Sequence, residues 1–322
     1  MNQQVLITGS RGFIAKNLIQ YLLKYTNYNI VCLDKPIDKL TPKSNKRLRF
    51  VYHDLRSEFN NDLVTKIGLV NYVIHLGGTS NVDASITDPV DTILTNVIGT
   101  ANVLNYVRSC CDHLKLFMFL STAEVFGTHE NKYFKDRDIY NPLNPYAGSK
   151  AGAECLCLSF AHMYNIPLMI CKTSNIYGPH HSFKRYISIV IDKILKGEEV
   201  SIYCDVDDGE ISSRQYLYSE DICNAFLFLI LNGQAGESYN IASEKPISNI
   251  DLALTVSKII NKPVNYKKIY SNSSSRYKSK HLLCTDKIRA LGWKENHSLK
   301  EGLTKTIGWH ISNYKQTNVQ YG

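Results

Sequence analysis

Residues 5–18, VLITGSRGFIAKNL, decide the fold of this chain because they join a strand, a glycine-rich turn and the start of a helix. Residues 5–8 form the short apolar run of a buried strand, and residues 13–25 have the apolar spacing of an amphipathic helix. Between them, Gly9 and Gly12 permit a tight turn and a close approach of the backbone to a ligand. Since backbone N–H groups at a helix N-terminus bind phosphate, the stretch predicts a pyrophosphate site.

A carboxylate after the second apolar run supports a dinucleotide site. Asp34 follows the turn by about 20 residues, the spacing at which a carboxylate binds the adenosine ribose hydroxyls. Ala15 stands at the position where glycine-rich dinucleotide-binding turns usually have a third glycine, but alanine also occurs there in such turns. We therefore expect NAD, because Asp34 would repel a 2′-phosphate; Arg11 and Lys35 nearby leave NADP as the alternative.

Short apolar runs alternate with longer amphipathic segments through the first half of the chain. The predicted strands are residues 5–8, 30–34, 49–52, 72–76, 116–121 and 168–173, and the predicted helices are 13–25, 91–108 and 146–164. Such alternation is typical of a parallel sheet covered by helices on both faces. The predicted fold class is α/β, a Rossmann-type doubly wound parallel sheet with a smaller α/β substrate-binding lobe.

The pattern changes after Asn175 to helices and irregular segments. We predict an NAD-binding domain over residues 1–175, rejoined by about 214–245 through an apolar helix at 220–231. The substrate-binding lobe is predicted over 176–213 and 246–322, with helices at 182–196 and 249–261.

Composition excludes several classes of protein. The 322 residues are 44% hydrophobic and 20% charged, which is ordinary for a globular enzyme. The net charge of +8 is scattered, and no basic run is interleaved with aromatic residues, so we expect no nucleic-acid partner. No apolar run reaches the roughly 18 residues of a membrane span, and no signal peptide is recognisable, so we expect no membrane partner. Nine cysteines without metal-ligand spacing predict reduced thiols, a cytoplasmic protein and no metal site.

Several motifs together resemble the extended short-chain dehydrogenase/reductase family. They are TGSRGFIA at 8–15, HDL at 53–55, HLGG at 75–78, NVIGTANVL at 96–104, STAEVFG at 121–127, YAGSK at 146–150, SNIYGP at 174–179, SRQYLYSED at 213–221 and LGW at 291–293. Their order is that of the NAD-dependent epimerases and dehydratases of nucleotide sugars. SNVDASITDP at 80–89 and STAEVFG are most similar to the branch that contains dTDP-glucose 4,6-dehydratases.

The resemblance implies NAD, a nucleotide-diphosphate sugar as substrate, and a homodimer formed through two long helices, 91–108 and 146–164. It assigns cofactor binding to Gly9, Arg11, Gly12, Phe13, Ile14, Asp34, Asp54, Leu55, Leu76, Gly77, Gly78, Asn96, Ser121, Tyr146, Lys150 and Asn175. It assigns substrate binding to Ser80, Thr122, Ala123, Glu124, Tyr146, Asn175, Arg214 and Arg276, with Arg214 on the diphosphate. The alternative for Arg214 and Arg276 is that each is a surface residue that binds no ligand.

Tyr146 and Lys150 stand one helical turn apart, so their side chains share a helix face. A phenol with a pKa of about 10 is a poor base, but an adjacent ammonium and an oxidised nicotinamide would lower that pKa. Tyr146 could then take a proton from a sugar hydroxyl as hydride leaves the same carbon. The resemblance makes Thr122 the hydroxyl partner of Tyr146. The alternative for Tyr146 and Lys150 is an exposed helix pair without a catalytic role. The alternative for Thr122 is a residue at a strand end that hydrogen-bonds only to the backbone.

Glu124 separates the possible reactions. Oxidation at C4 of a hexose makes the C5 hydrogen acidic, and a carboxylate that removes it lets the C6 hydroxyl leave as water before hydride returns to C6. Related dehydratases place Asp or Ser before this Glu, whereas Ala123 cannot deliver a proton. Elimination then requires Glu124, a bound water or another residue as the acid. We predict a 4,6-dehydratase; the alternatives are a 4-epimerase, a C4 oxidoreductase, a uronic-acid decarboxylase of the same family and a non-catalytic NAD-binding protein.

Overall fold

The computed structural model describes residues 3–36, 46–129, 132–205, 211–271 and 281–317. Contacts divide the chain into two compact units. The first unit is Met1–Gly127, Asp136–Thr173 and Phe226–Asn240, and the second is Thr128–Lys135, Ser174–Ala225 and Ile241–Gly322. The sequence suggested a return to the first domain over about 214–245, whereas this division returns only Phe226–Asn240.

The strands and helices are numbered in chain order. The strands are β1 (Gln4–Thr8), β2 (Asn29–Asp34), β3 (Leu48–Tyr52), β4 (Tyr72–His75), β5 (Leu116–Thr122), β6 (Tyr133–Phe134), β7 (Leu168–Thr173), β8 (Asn175–Tyr177), β9 (Val200–Asp205), β10 (Ser213–Arg214), β11 (Tyr216–Tyr218), β12 (Ser238–Ile241), β13 (Ile247–Ser248), β14 (Tyr266–Ser271) and β15 (Leu282–Leu283). The helices are α1 (Phe13–Tyr25), α2 (Asn61–Ile67), α3 (Val82–Thr87), α4 (Pro89–Ile93), α5 (Gly99–Cys110), α6 (Pro145–Tyr164), α7 (Tyr186–Lys196), α8 (Ser219–Asn232), α9 (Asn249–Ile260), α10 (Asp286–Ala290) and α11 (Leu299–Thr317).

A seven-stranded sheet forms the centre of the first unit, in the order β12-β7-β5-β4-β1-β2-β3. Neighbouring strands from β7 to β3 are all parallel. Val5, Leu6 and Ile7 of β1 are fully buried, because helices cover both faces of a parallel sheet. The predicted doubly wound parallel sheet is confirmed. In such sheets ligands bind outside the carboxyl ends of the strands, near the point where the strand order reverses, here between β1 and β4.

The segment predicted as a helix over 91–108 is helical throughout, but it is not a uniform α-helix. The segment consists of α4, a π-helical turn at Leu94–Ile98, and α5. The side chain of Asp88 accepts a hydrogen bond from the Asp91 N–H, and Pro89 occupies the first turn, so α4 begins before the predicted start. A β-carbon on Gly99, where α5 begins, would lie 3.2 Å from Leu55 Cβ, which shows how closely the helix packs there.

The second unit is built from short paired strands and helices. β8 pairs with β11, β9 with β14 and β6 with β15 in parallel, and β10 pairs with β13 in the antiparallel sense. Its buried core includes Ile191, Val256 and Leu303. Among the described helices of both units, none is long and apolar enough to cross a membrane.

Candidate active site

The glycine turn between β1 and α1 has room for a ligand only because side chains are absent there. Gly9 has φ +65°, and a β-carbon on it would lie 2.7 Å from Gly77 Cα. Gly12 caps α1, and its N–H donates to the Gly9 carbonyl at 2.9 Å. The first turn of α1 carries no acidic residue, so its partial positive charge is open to a pyrophosphate. Ala15 is buried against the sheet, which shows that one methyl fits at the third glycine position.

Asp34 ends β2 beside this turn. Its carboxylate accepts hydrogen bonds from the Arg11 N–H and the Lys35 N–H, both at 2.8 Å. Two backbone donors therefore fix its orientation and leave lone pairs for further donors, such as ribose hydroxyls. The bare glycine turn, the helix terminus and this carboxylate fit a dinucleotide of the NAD type.

The loop after β4 is also shaped by missing side chains. A β-carbon on Gly77 would lie 2.4 Å from Leu55 Cδ1, and one on Gly78 would lie 2.7 Å from Asn96 Oδ1. Asn96 is only 1% exposed. Its Oδ1 accepts from the Thr79 N–H at 2.8 Å, and its Nδ2 donates to the Thr79 carbonyl at 3.1 Å and to Ser149 Oγ at 2.8 Å. All of its amide groups are therefore engaged within the chain, where they hold this loop to α6.

His75 at the end of β4 lies in a buried hydrogen-bond chain. Thr8 Oγ1 is 2.6 Å from His75 Nδ1, and Thr100 Oγ1 is 3.0 Å from His75 Nε2. The Thr100 hydroxyl donates to the Asn96 carbonyl, so it accepts from Nε2–H, and the Thr8 hydroxyl donates to Nδ1. Burial lowers the pKa of His75 to about 3, so the ring is neutral and rigidly placed.

The residues at the start of α6 are fixed by two side chains outside the predicted site. Asn144 Oδ1 accepts from the Ala147 N–H at 2.8 Å and caps the helix, while Asn144 Nδ2 donates to Glu124 Oε2 at 2.9 Å. The Tyr146 N–H donates to Ser85 Oγ of α3 at 3.1 Å. Tyr146 and Glu124 are thus positioned from the same end of one helix.

Tyr146 and Lys150 are each 8% exposed and lie one turn apart on α6. Lys150 Nζ is 4.1 Å from the centre of the Phe119 ring in β5. Burial lowers the pKa of Lys150 to about 8, and the nearby charge of Glu154 opposes that decrease. Lys150 is therefore still mainly an ammonium at neutral pH, although it titrates more easily than an exposed lysine.

Thr122 ends β5 and begins a 3₁₀ turn, Ala123–Phe126. Its Oγ1 accepts from the Glu124 N–H at 3.3 Å, so the threonine and the glutamate share one turn. Ala123 between them is 3% exposed, whereas Glu124 is half-buried.

A sequence profile described as the NAD dependent epimerase/dehydratase family matches residues 5–242. The chain is 31% identical to dTDP-D-glucose 4,6-dehydratase of Mus musculus over 97% of this chain and 90% of the relative. It is 31% identical to dTDP-glucose 4,6-dehydratase 1 of Escherichia coli K12 over 99% of this chain and 96% of that relative. This chain belongs to the NAD-dependent epimerase/dehydratase family. The resemblance that the motifs indicated is confirmed.

Solved structures agree on the fold. A dTDP-glucose 4,6-dehydratase of Streptomyces venezuelae, solved with NAD, superposes with a TM-score of 0.85 at 24% identity and covers 98% of each chain. A UDP-glucose 4-epimerase of Thermotoga maritima, solved with UDP-glucose, has a TM-score of 0.83 at 25% identity, over 97% of this chain and 100% of that one. The relatives are NAD-dependent dehydratases and epimerases, so the predictions of an enzyme and of NAD are confirmed at the level of the family.

The other residues that the family motifs assigned are spread over both units. In the first unit, Phe13 and Ile14 begin α1, Leu76 follows β4 and Ser80 is exposed just beyond it. Asp54 pairs with Arg56 through two of its guanidinium nitrogens, and this hydrogen bonding lowers the pKa of Asp54.

Ser121 at the end of β5 is buried, and its hydroxyl donates to Glu154. In the second unit, Asn175 is exposed at the start of β8, and Arg214 in β10 donates to the Ser213 carbonyl at 3.0 Å. Arg276 lies outside the described residues.

Three residues with contacts to this site were missed by the sequence analysis: Ser85, Asn144 and Glu154. A signal existed for Asn144, since Asn followed by Pro is a helix-start signature and the family motif begins directly after it. Glu154 follows Lys150 by four residues, as Lys150 follows Tyr146. This spacing could have predicted that Glu154 lies on the same helix face as the other two. The residues that these three contact could not be predicted from the sequence, because they belong to other helices, strands and turns.

Proposed function

We propose that this chain is a nucleotide-sugar 4,6-dehydratase with NAD as its resident cofactor. The observation that carries the proposal is the placement of Glu124 on the same turn as Thr122, with its carboxylate held by Asn144 from the start of the helix that bears Tyr146 and Lys150. When bound, NAD supplies hydride acceptance from C4 and hydride return to C6.

Tyr146 acts as the base for the C4 hydroxyl. The Lys150 ammonium, one turn away in a buried environment, stabilises the phenolate, because an opposite charge at short range favours the charged form of an acid. Thr122 orients the sugar hydroxyl by hydrogen bonding. Gly9, Gly12 and Asp34 would hold the dinucleotide.

Glu124 completes the elimination. Its carboxylate takes the C5 proton, and the resulting carboxylic acid donates that proton to the departing C6 hydroxyl, which leaves as water. Ala123 cannot donate a proton, so Glu124 performs both transfers of the elimination; Glu124 then takes up a solvent proton and delivers it to C5 when C6 is reduced, so every proton is accounted for. The Asn144 amide favours this mechanism because it donates to one carboxylate oxygen, Oε2, so the proton transfers are assigned to the other oxygen.

Ala123 also favours a second candidate, a nucleotide-sugar 4-epimerase, since epimerisation requires Tyr146 and Lys150 but no acid for a leaving hydroxyl. The curated relatives named above act, by their names, on dTDP-glucose, which makes that sugar nucleotide the first substrate to test.

The deciding experiment incubates purified protein with dTDP-glucose, UDP-glucose, UDP-N-acetylglucosamine, GDP-mannose and UDP-glucuronate in deuterated water. Dehydration gives a product that has lost the mass of water and gained one solvent deuterium at C5. An unchanged mass with a new C4 signal in the NMR spectrum identifies epimerisation, and loss of carbon dioxide identifies decarboxylation. No conversion of any of the five contradicts the proposal for these substrates and favours a non-catalytic NAD-binding protein.

The proposed enzyme is a cytoplasmic homodimer. Exposed apolar side chains follow one another at intervals of four residues or fewer along α3, α4 and the π turn: Ile86, Val90, Ile93, Leu94 and Ile98. Leu158 of α6 is also 49% exposed. Such a stripe favours burial against a second copy of the chain. Light scattering on the protein as it elutes from a size-exclusion column measures the oligomeric state, and a monomeric mass would contradict the dimer.

The proposed cytoplasmic location is supported by the cysteines. All nine are free thiols, which is typical of proteins in a reducing compartment.

A further inference from the structure

Glu154 is a buried carboxylate that the proposed mechanism does not use. It lies on α6 and is 0% exposed. Its Oε1 accepts a hydrogen bond from the Ser121 hydroxyl, and its Oε2 accepts from the Tyr140 hydroxyl and from Lys172 Nζ, the last at 3.0 Å. Three donors converge on this side chain, so it is held as an anion in a place where an unpaired charge would be costly.

The ammonium that pairs with Glu154 is equally constrained. Lys172 of β7 is 1% exposed, and besides Glu154 its Nζ donates to Ser238 Oγ at 2.8 Å and to the Asp136 carbonyl at 3.3 Å. Its three hydrogens are all used. Because a well-packed apolar pair often stabilises a fold as well as a buried ion pair does, stability alone does not explain why charges stand here.

Glu154 is connected to both parts of the candidate active site. Tyr146, Lys150 and Glu154 are spaced four residues apart and therefore follow one face of α6. Ser121, which donates to Glu154, directly precedes Thr122 at the end of β5. Glu154 thus lies one turn from Lys150 on α6 and is hydrogen-bonded to the residue that precedes Thr122 on β5.

Glu154 is the acidic neighbour of Lys150 on α6, although its direct ion pair is with Lys172. The pKa of His75 is lowered to about 3 by burial, and burial raises the pKa of the Cys157 thiol, so both groups are neutral at neutral pH. Glu154 is then the anion beside the Lys150 ammonium within the described part of the chain, where its charge opposes the effect of burial. The facing groups are Glu154 and Cys157 on α6, His75 on β4 and the Phe119 ring on β5.

We propose that Glu154 is a positioning residue for this site: its buried carboxylate keeps Lys150 charged beside Tyr146 and fixes the end of β5 that carries Thr122. The proposal rests on the proposed function, since it assigns Lys150 the task of stabilising the Tyr146 phenolate.

The test compares the wild type with Glu154→Gln and with the double variant Glu154→Gln/Lys172→Met, which contains no unpaired buried charge. We expect both variants without the carboxylate to lose about tenfold in kcat at neutral pH, with the kinetic pKa of Tyr146 raised by about one unit and KM nearly unchanged. Circular dichroism and thermal melting give the folded fraction of each variant.

A purely structural role predicts a different result: activity would follow the folded fraction, and the double variant would have the wild-type pH profile. That outcome would overturn the proposal. A second measurement needs no sugar. The near-ultraviolet absorbance of tyrosinate is followed over pH for each NAD-bound protein, and the curve of the same protein carrying Tyr146→Phe is subtracted. The difference reports the pKa of Tyr146 directly. If the wild type converts no nucleotide sugar, the proposed function fails, and this titration still decides the role of Glu154. Equal Tyr146 titration in the wild type and the double variant would contradict it.

Discussion

The side-chain amide of Asn144 donates to Glu124 Oε2 at 2.9 Å, while its carbonyl oxygen accepts from the Ala147 N–H at 2.8 Å. One residue therefore caps α6 and orients the carboxylate on the turn after β5. Glu124 and Asn144 are 20 residues apart in sequence, and this contact joins the two elements that carry the proposed acid and base chemistry.

Asn144→Ser separates these two tasks. Serine is as good an N-cap as asparagine, so the melting temperature should stay close to that of the wild type. The donor to Glu124 is lost, and since a hydrogen bond to a charged group contributes about 1.5–3 kcal/mol, kcat for dehydration should fall at least about tenfold. Asn144→Ala is the control, because it should lose about 1 kcal/mol of stability as well. Unchanged kcat in Asn144→Ser would show that the contact does not orient the reacting carboxylate.

Gly9→Ala should weaken cofactor binding strongly. The new methyl would lie 2.7 Å from Gly77 Cα, a backbone atom that cannot move aside, and would also strain a residue at φ +65°. We expect the Kd for NAD to rise more than about tenfold in calorimetry. Gly197→Ala is the matched control, because Gly197 has φ +73° and open space around its α-carbon. It should lose about 1–2 kcal/mol of stability without losing NAD affinity. Equal loss of NAD binding in both variants would contradict this account.

Asp34→Ser should relax the selectivity for NAD. The Asp34 carboxylate repels a 2′-phosphate, and its removal leaves two basic residues, Arg11 and Lys35, whose backbone N–H groups contact Asp34 in the wild type. The ratio of the Kd values for NADP and NAD should fall by about tenfold or more, because one unfavourable charge contact is removed. Fluorescence titration with each reduced dinucleotide measures this ratio. A ratio equal to that of the wild type would show that Asp34 does not determine the selectivity for NAD over NADP.

Much of the first unit could be predicted from the sequence, because each buried parallel strand is a short apolar run that ends at a polar residue. The run at 30–34 and the strand Asn29–Asp34 differ by one residue, and α1 was predicted with its observed bounds. The π turn within 91–108 was not predictable, because it lies where Asn96 contacts Thr79 and Ser149, which are distant in sequence.

The same limit applies to the candidate site. Motifs identified Tyr146, Lys150 and Glu124, whereas the partners of Glu154 on β5 and β7 required the folded chain. Local sequence specifies which element a residue occupies; packing between elements specifies what that residue contacts.

The buried His75 should make the stability of the fold depend on pH. Its pKa is about 3 in the folded state against 6.5 when exposed, so between these values the unfolded chain binds a proton that the folded chain does not. The free energy of unfolding should therefore fall as the pH decreases from 6.5 towards 3, by on the order of 4 kcal/mol. His75→Gln has no ionisable group and can still hydrogen-bond to Thr8 and Thr100, so it should be less stable than the wild type near pH 7 but have a flatter pH dependence. Urea unfolding of both proteins at several pH values measures the slopes, and parallel slopes would show that His75 does not carry the effect.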